Sequence, residues 1–501
     1  MIPIPAKIYS LVSGSADSVL LETSRPDREN RHSFLFVHPI RVLSVEALDD
    51  VPRLFEQIED CLRDGLFVAG FMSYECGYHF EPRAAARPPM RAGLPHAWFG
   101  VYERPSVFDH LSGTFTPELP EEWREQVSSA APAAGAAVCG YRLEIGRDEY
   151  SARVEAIRDY IAAGDTYQVN FTTRALFESS GAPAALYSAL RSRQKVPYAA
   201  LIHAEERHIL SFSPELFFRI QDGRITTRPM KGTAPRGRTL AEDAQIRSRL
   251  RNDPKNRSEN VMIVDLLRND VGKIAQIGSV RADELFVVEK YETLFQMTST
   301  VSGALRPAAA LYDVFQAIFP SGSVTGAPKC RTMQIIQELE LAPRGVYTGA
   351  IGYFSPSGDA VFSVPIRTMV LEGGRGEMGV GSGIVADSVA LEEYEECLLK
   401  VLFFTHSQPE FQLLESLRWD GQYHFLPQHL ERLKCSAEYF DFPFSGAGVV
   451  SVLEQNQGRL QAGCAYKVRL LLNVAPQRPE LFAAQPTHTR RDSLQERRHI
   501  R

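Results

Sequence analysis

The sequence predicts an α+β fold, and three observations carry that reading. Residues 1–125 alternate short apolar runs with turns, as in Phe34-Leu-Phe-Val37 and Leu66-Phe-Val-Ala-Gly-Phe-Met-Ser-Tyr74. Asp148–Ala162 places Tyr150, Val154, Ile157 and Ile161 at helical spacing and stops before Gly164, the pattern of an amphipathic helix with a glycine past its end. Tyr198–His203 and His208–Phe212 are apolar runs separated by a short polar link and read as paired strands.

Taken in order, residues 1–127 form a first part and 128–140 a linker, because SSAAPAAGAA (128–137) has the composition of a flexible connection. Residues 141–404 continue as a long α+β stretch, with helices expected at Ser258–Lys273, Leu311–Ile318, Arg331–Leu339 and Ala390–Phe404. After Thr405 the pattern restarts as strand, Gly421 turn, strand, and a helix through His429-Leu-Glu-Arg-Leu433, making 405–475 a further segment. Residues 476–501 lack periodicity and are expected to be disordered. No repeat of 20–50 residues is present.

With 501 residues, 44% of them hydrophobic, the chain can bury a large core, and about 150 residues per domain gives two to four units. A net charge of −6 without a long basic run before the terminal arginines argues against a nucleic-acid partner. The seven cysteines form no Cys-x-x-Cys pair, which suits a reducing cytosol. The first residues lack the basic start and apolar run of a signal peptide, and no stretch of about eighteen apolar residues occurs. A cytoplasmic protein without a membrane segment is expected.

The chemistry begins at Arg228-Pro-Met-Lys231-Gly232-Thr233, just after a strand-like run opened by Glu215. Read alone, this turn suits a solvated surface lysine as well as a nucleophile or base made reactive by desolvation. Glu259 opens one helix, and Glu393, Glu396 and Lys400 share one face of another. Carboxylates from two helices are the hard oxygen donors that Mg²⁺ prefers, although a solvated acidic face has the same composition. The loop Pro320-Ser-Gly-Ser323-Val-Thr-Gly326-Ala-Pro-Lys329 runs into a helix and suits an anion on free backbone N–H groups. Gly379-Val-Gly381-Ser382-Gly383 offers bare backbone, and Arg367 offers a bidentate carboxylate contact.

Together these segments resemble the chorismate-utilising family, which includes anthranilate, aminodeoxychorismate, isochorismate and salicylate synthases. The resemblance runs over roughly 146–404. It rests on Gly164-Asp165-Thr-Tyr167-Gln168-Val-Asn170, Ser213-Pro214-Glu215, the Pro-x-Lys-Gly-Thr turn, Ser258-Glu259-Asn260 through Asp270, Gly326-Ala-Pro-Lys329, Gly345-Val-Tyr347-Thr-Gly349 and Gly381-Ser-Gly-Ile-Val-Ala-Asp387. It implies a two-subdomain antiparallel sheet sandwich with outer helices, with residues 1–125 part of that fold. It also implies chorismate as substrate, Mg²⁺ on Glu259 and Glu396, and substrate contacts from Gly232, Thr233, Tyr347, Arg367, Gly381, Ser382, Gly383 and Lys400. Glu393, Gln296 and Ser323 are expected to support these residues. Gln296 stands where many relatives have histidine, and a glutamine can only hydrogen-bond there.

Within the family, a lysine at the position of Lys231 resembles aminodeoxychorismate synthases, while anthranilate synthases carry alanine. The resemblance implies that Lys231 adds to the ring covalently and that Glu215 protonates the leaving hydroxyl. Anthranilate or isochorismate synthesis on the same site, or a non-catalytic remnant, are the alternative readings. No cysteine lies in a Gly-x-Cys-x-Gly elbow, so a separate glutamine amidotransferase subunit is the implied source of ammonia.

Beyond 405, Phe411-Gln-Leu-Leu-Glu415-Ser-Leu-Arg418 and Phe425-Leu-Pro-Gln-His429-Leu-Glu-Arg432-Leu433 resemble the opening of class IV aminotransferases, with Arg432 at the phosphate-binding position for pyridoxal phosphate. No lysine follows Lys467, so this segment reads as a partial lyase-like tail without a cofactor lysine.

Overall fold

The computed structural model describes residues 2–27, 29–84, 93–129, 135–405, 411–461, 463–473 and 480–486. Two units are present: the first comprises 1–234, 249–291 and 295–407, the second 235–248, 292–294 and 408–501.

The first unit is built on two large antiparallel sheets. Strands from residues 1–127 are laid into both. Ser18–Glu22 pairs with Tyr198–Ala204, and Phe67–Met72 pairs with Ala350–Phe354. The alternation of apolar residues along these strands gives each sheet an inner face. Phe36, Ile202, Ile209 and Val370 of one sheet form a single buried cluster with Phe71, Trp98 and Ile351 of the other. Burying each such side chain stabilises the fold by roughly 1.5–3 kcal/mol, so the two sheets pack face to face as a sandwich.

Helices cover the outer faces. Val154 and Ile157 of the helix Arg147–Ala162 pack with Phe171 and Val380 of the first sheet. Ile263, Val264 and Leu267 of the helix Pro254–Gly272 pack with Phe217 and Val301 of the second. The helix Lys329–Leu339 and the helix Ala390–Thr405 complete this layer of the site.

Two boundaries differ from the sequence reading. The expected linker 128–140 ends inside a strand, Ala137–Leu143, which pairs with Gln168–Ser180; residues 130–134 lie outside the described residues. Val138 and Leu143 pack against the core cluster of the first sheet, which lets this segment extend a sheet edge despite its linker-like composition. In the segment expected to be disordered, Glu480–Pro486 forms a strand beside Tyr466–Leu472, while 476–479 and 487–501 lie outside the described residues.

The second unit has a three-stranded sheet, Leu413–Trp419, Tyr466–Leu472 and Glu480–Pro486. Leu433 and Ala437 of the helix Leu426–Phe440 and Val449 and Leu453 of the helix Gly446–Gln457 pack on Leu417, Val468 and Leu470. Residues 235–248 belong to this unit as well. Arg236 holds Asp243 at 2.6 Å, stacks 4.5 Å over the Tyr439 ring and donates to the Tyr439 carbonyl at 3.0 Å.

Candidate active site

Lys231 sits on a strand, Met230–Pro235, where the sequence reading expected a turn. The bend that mimics a turn is local to Gly232, whose φ is +91°; a Cβ there would lie 2.9 Å from Asn256 Oδ1. Only glycine meets both conditions. Asn256 is fixed in turn by Asp253, the N-cap of the helix Pro254–Gly272, which accepts its N–H at 2.8 Å. From the neighbouring strand Gln296 donates to the Gly232 carbonyl at 3.1 Å and accepts from Thr233 Oγ1 at 3.0 Å. The residue in the histidine position thus locks the peptides that follow Lys231, and the Thr233 hydroxyl is engaged with it.

Glu215 is buried, 4% exposed, and accepts a 2.6 Å hydrogen bond from Ser323 Oγ. Burial pushes its carboxyl up to about 7, against the opposing pull of Ser323, Lys231 and the Met230 backbone. Burial also lowers the Lys231 ammonium below its ordinary value. Glu259 and Glu215 oppose that shift, Lys400 adds to it, and Glu396 opposes it. One amine therefore feels all four charged groups that the sequence reading assigned to acid, metal and substrate roles.

Glu396 and Lys400 form an ion pair at 2.6 Å, one helical turn apart, and Lys400 also donates to the Gly381 carbonyl at 2.6 Å. Glu393 accepts from Ser388 Oγ at 2.7 Å, which ties the start of this helix to the turn before it. Gly381 to Gly383 lie within the strand Arg375–Ile384, paired with Gln168–Ser180. A Cβ on Gly383 would stand 2.7 Å from Gln168 Nε2 and 3.1 Å from Lys231 Nζ, so this glycine leaves the room that the lysine head occupies.

Ser382 can offer only its backbone to this face. The alternation of a strand turns its side chain away from the face of Gly381 and Gly383, and its Oγ meets Tyr150 Oη at 3.1 Å in the core. The loop before Lys329 also turns side chains inward. Ser323 bonds Glu215 and Lys329 pairs with Asp270 at 3.0 Å, so the side chains of this loop support Glu215.

Tyr347 packs its ring where a Cβ on Gly379 would fall. Arg367 has a left-handed backbone, φ 52°, costly for a long side chain, and burial lowers its pKa beside Tyr291.

The profile of the chorismate binding enzyme family matches residues 17–406. The chain belongs to the chorismate binding enzyme family. It is 38% identical over 343 residues to aminodeoxychorismate synthase component 1 of Klebsiella aerogenes, covering 67% of this chain and 76% of that one. It is 36% identical over 358 residues to anthranilate synthase component 1 of Pseudomonas aeruginosa, covering 66% and 73%. The crystal structure of anthranilate synthase component I from Streptococcus pneumoniae superposes with a TM-score of 0.66 at 29% identity, covering 76% of this chain and 93% of that one.

A chorismate binding enzyme of this kind implies Mg²⁺, and Glu259 and Glu396 are the carboxylates whose chemistry could hold it. Glu259 and Glu396 are hard carboxylates on two helices, both close enough to act on Lys231. Among the described residues no cluster of three or more His, Cys, Asp or Glu could hold a metal by itself. Two carboxylates leave open positions for water and an anionic ligand, the usual arrangement for Mg²⁺. No helix among the described residues is long and apolar enough to cross a membrane.

Sequence reasoning missed Gln168. It is 1% exposed, and neither amide atom has a hydrogen-bond partner among the described residues. Buried amides are ordinarily satisfied, so an unpartnered one near Lys231 is a candidate ligand contact. Its place in the Gly164–Asn170 motif was the signal, but nothing in sequence shows where an amide finds its partners.

Proposed function

We propose that this chain is the large subunit of an aminodeoxychorismate synthase, converting chorismate and ammonia to 4-amino-4-deoxychorismate on the route to 4-aminobenzoate and folate. The observation that carries the reading is Lys231, whose amine burial holds below its ordinary pKa beside a Glu215 raised to about 7. A lysine that loses its proton readily is a nucleophile, and a carboxyl that keeps its proton is a general acid.

Neutral Lys231 Nζ forms a bond to ring carbon C2 while Glu215 gives its proton to the C4 hydroxyl, which leaves as water as both ring double bonds shift, C1=C2 to C1=C6 and C5=C6 to C4=C5. The adduct nitrogen returns a proton to Glu215. Ammonia then bonds to C4, both double bonds shift back, and the C2–N bond breaks to release the lysine amine; the proton shed by the new C4 nitrogen goes to the departing lysine. The Gln168 amide offers a neutral acceptor to N–H groups of lysine or ammonia without raising their pKa, as a carboxylate would. Lys400, Arg367 and the Tyr347 hydroxyl supply charge and hydrogen bonds for the two substrate carboxylates. Mg²⁺ held by Glu259 and Glu396 would neutralise the ring carboxylate and draw electron density from the ring. A glutamine amidotransferase subunit supplies the ammonia, and the cytoplasm is the compartment.

The 36% identity to an anthranilate synthase component keeps amination at C2 as the second reading. Mass and chromatographic analysis of the product from chorismate, Mg²⁺ and an ammonium salt decides between them. 4-Amino-4-deoxychorismate is expected, and anthranilate or isochorismate as the sole product would overturn the proposal.

A further inference from the structure

Several segments of the site converge on one buried guanidinium that the reaction scheme does not use. Arg344 is 4% exposed, and all its donor nitrogens are occupied. Nη1 donates to the Val324 carbonyl at 2.8 Å and to Thr348 Oγ1 at 3.3 Å, and Nη2 to the Asn170 carbonyl at 2.6 Å. Glu340 closes the other edge, 2.9 Å from Nε and 2.7 Å from Nη2. The Tyr74 ring lies 4.3 Å below the guanidinium carbon. The backbone is held too. The Arg344 and Gly345 N–H groups donate to the two oxygens of Glu75 at 2.7 and 3.0 Å, and the Tyr74 N–H donates to the Gly345 carbonyl at 2.9 Å.

Each tethered segment carries a site residue. Asn170 follows Gln168 by two positions, Val324 adjoins Ser323, and Thr348 adjoins Tyr347. Thr348 is the strained point, a β-branched residue with φ 60°. Its N–H donates to the Pro365 carbonyl at 3.1 Å, two residues before the equally left-handed Arg367. Backbone of this kind persists only where its surroundings over-determine it.

We infer that Arg344, clamped by Glu340 and Glu75, is a positioning residue that sets Tyr347 and its neighbours against the substrate. The inference rests on reading the site as the chorismate site. Lysine cannot replace Arg344, because a single ammonium has three donors and no planar fork for carboxylate and two carbonyls at once.

The test is a double-mutant cycle in the full chain. Glu75→Gln and Arg344→Lys are each made alone and together with Tyr347→Phe, and kcat/KM for chorismate is measured at saturating ammonium. Each single change is expected to lower kcat/KM about tenfold, and each double variant to stay near tenfold, because Tyr347 is already misplaced. A merely structural loss would lower the melting temperature and multiply independently with Tyr347→Phe. Additive effects, or wild-type kinetics in Glu75→Gln, overturn the inference. If Arg344→Lys does not fold, the nearly isosteric Glu75→Gln carries the cycle. The same cycle read by chorismate binding to the magnesium-loaded chain separates the two claims: a wild type that binds chorismate but makes another product changes the assigned reaction and leaves the clamp test intact.

Discussion

Lys231 and Glu215 place opposite demands on one pocket: the lysine must lose its proton and the glutamate must keep one. Burial serves both, because it disfavours whichever form is charged. Turnover is therefore expected to fall on the alkaline side as Glu215 ionises through about 7, and on the acid side as Lys231 becomes protonated. Glu215→Gln should flatten the alkaline limb and lower kcat by about a hundredfold or more. The stability that Glu215 contributes should fall in the same direction, with rising pH. The folded-state pKa of Glu215 is raised from 4.5 to about 7, so its contribution is most favourable below 4.5 and is lost as pH rises to about 7. At pH 8 the glutamine variant should melt no lower than wild type; a clear drop there would mean that ionised Glu215 is stabilising. Lys231→Ala should abolish or divert product formation with the melting temperature unchanged, and the same product at the wild-type rate would exclude a covalent route. Lys231 and Glu215 were legible because each lies in a compact motif. Glu75 was not, because its partner Arg344 is 269 residues away and nothing near either marks the pair.

At the scale of elements, helical periodicity located the site's scaffolding well. Leu311–Ile318 and the helix beginning at Ala390 have the expected starts, and capping explains the early start of the helix at Pro254, where Asp253 accepts the Asn256 N–H. Strand faces were harder to read. Gly381, Ser382 and Gly383 look equivalent as a glycine loop, yet a two-residue period sends Ser382 into the core and leaves Gly383 beside Lys231. Gly383→Ala should thus cost activity more than stability. Its methyl would press on the far ends of Gln168 and Lys231, which can move at little cost to the fold but not without displacing the nucleophile. An active Gly383→Ala enzyme with wild-type KM would show that Lys231 reacts from another position. The two acidic helices make a paired prediction. Glu259→Gln and Glu396→Gln preserve shape but remove charge, so each should lose magnesium-dependent turnover and weaken magnesium binding by titration. Unchanged titrations in both would remove these carboxylates from the metal site.

For the whole molecule, the family resemblance anticipated the sandwich but not how the second unit is composed. Reading its strands and helix as class IV aminotransferase-like put Arg432 forward as a phosphate contact, whereas Glu415 takes that guanidinium with two 2.6 Å hydrogen bonds and also accepts from His429 at 2.8 Å. With no lysine after Lys467 and Arg432 already paired, added pyridoxal phosphate is expected to give no borohydride-reducible absorbance band. The unit also includes residues 235–248, which begin four positions after Lys231. Arg236 gains a stacking contact and a carbonyl acceptor from Tyr439, whose hydroxyl donates to the Gly237 carbonyl at 2.5 Å. A cut after residue 405 removes the Tyr439 contacts, while the bonds of Arg236 to Asp243 and the Glu292 carbonyl involve residues that remain. A cation stacked on tyrosine contributes about 0.5–2 kcal/mol, enough to change local opening by roughly an order of magnitude. Hydrogen exchange should therefore quicken across 237–248 in the truncated chain, and in full-length Tyr439→Ala to a similar degree, while the amides of 350–354 in the sandwich keep their protection. Equal exchange at 237–248 in the full and truncated chains would show that this segment holds its shape without the C-terminal residues.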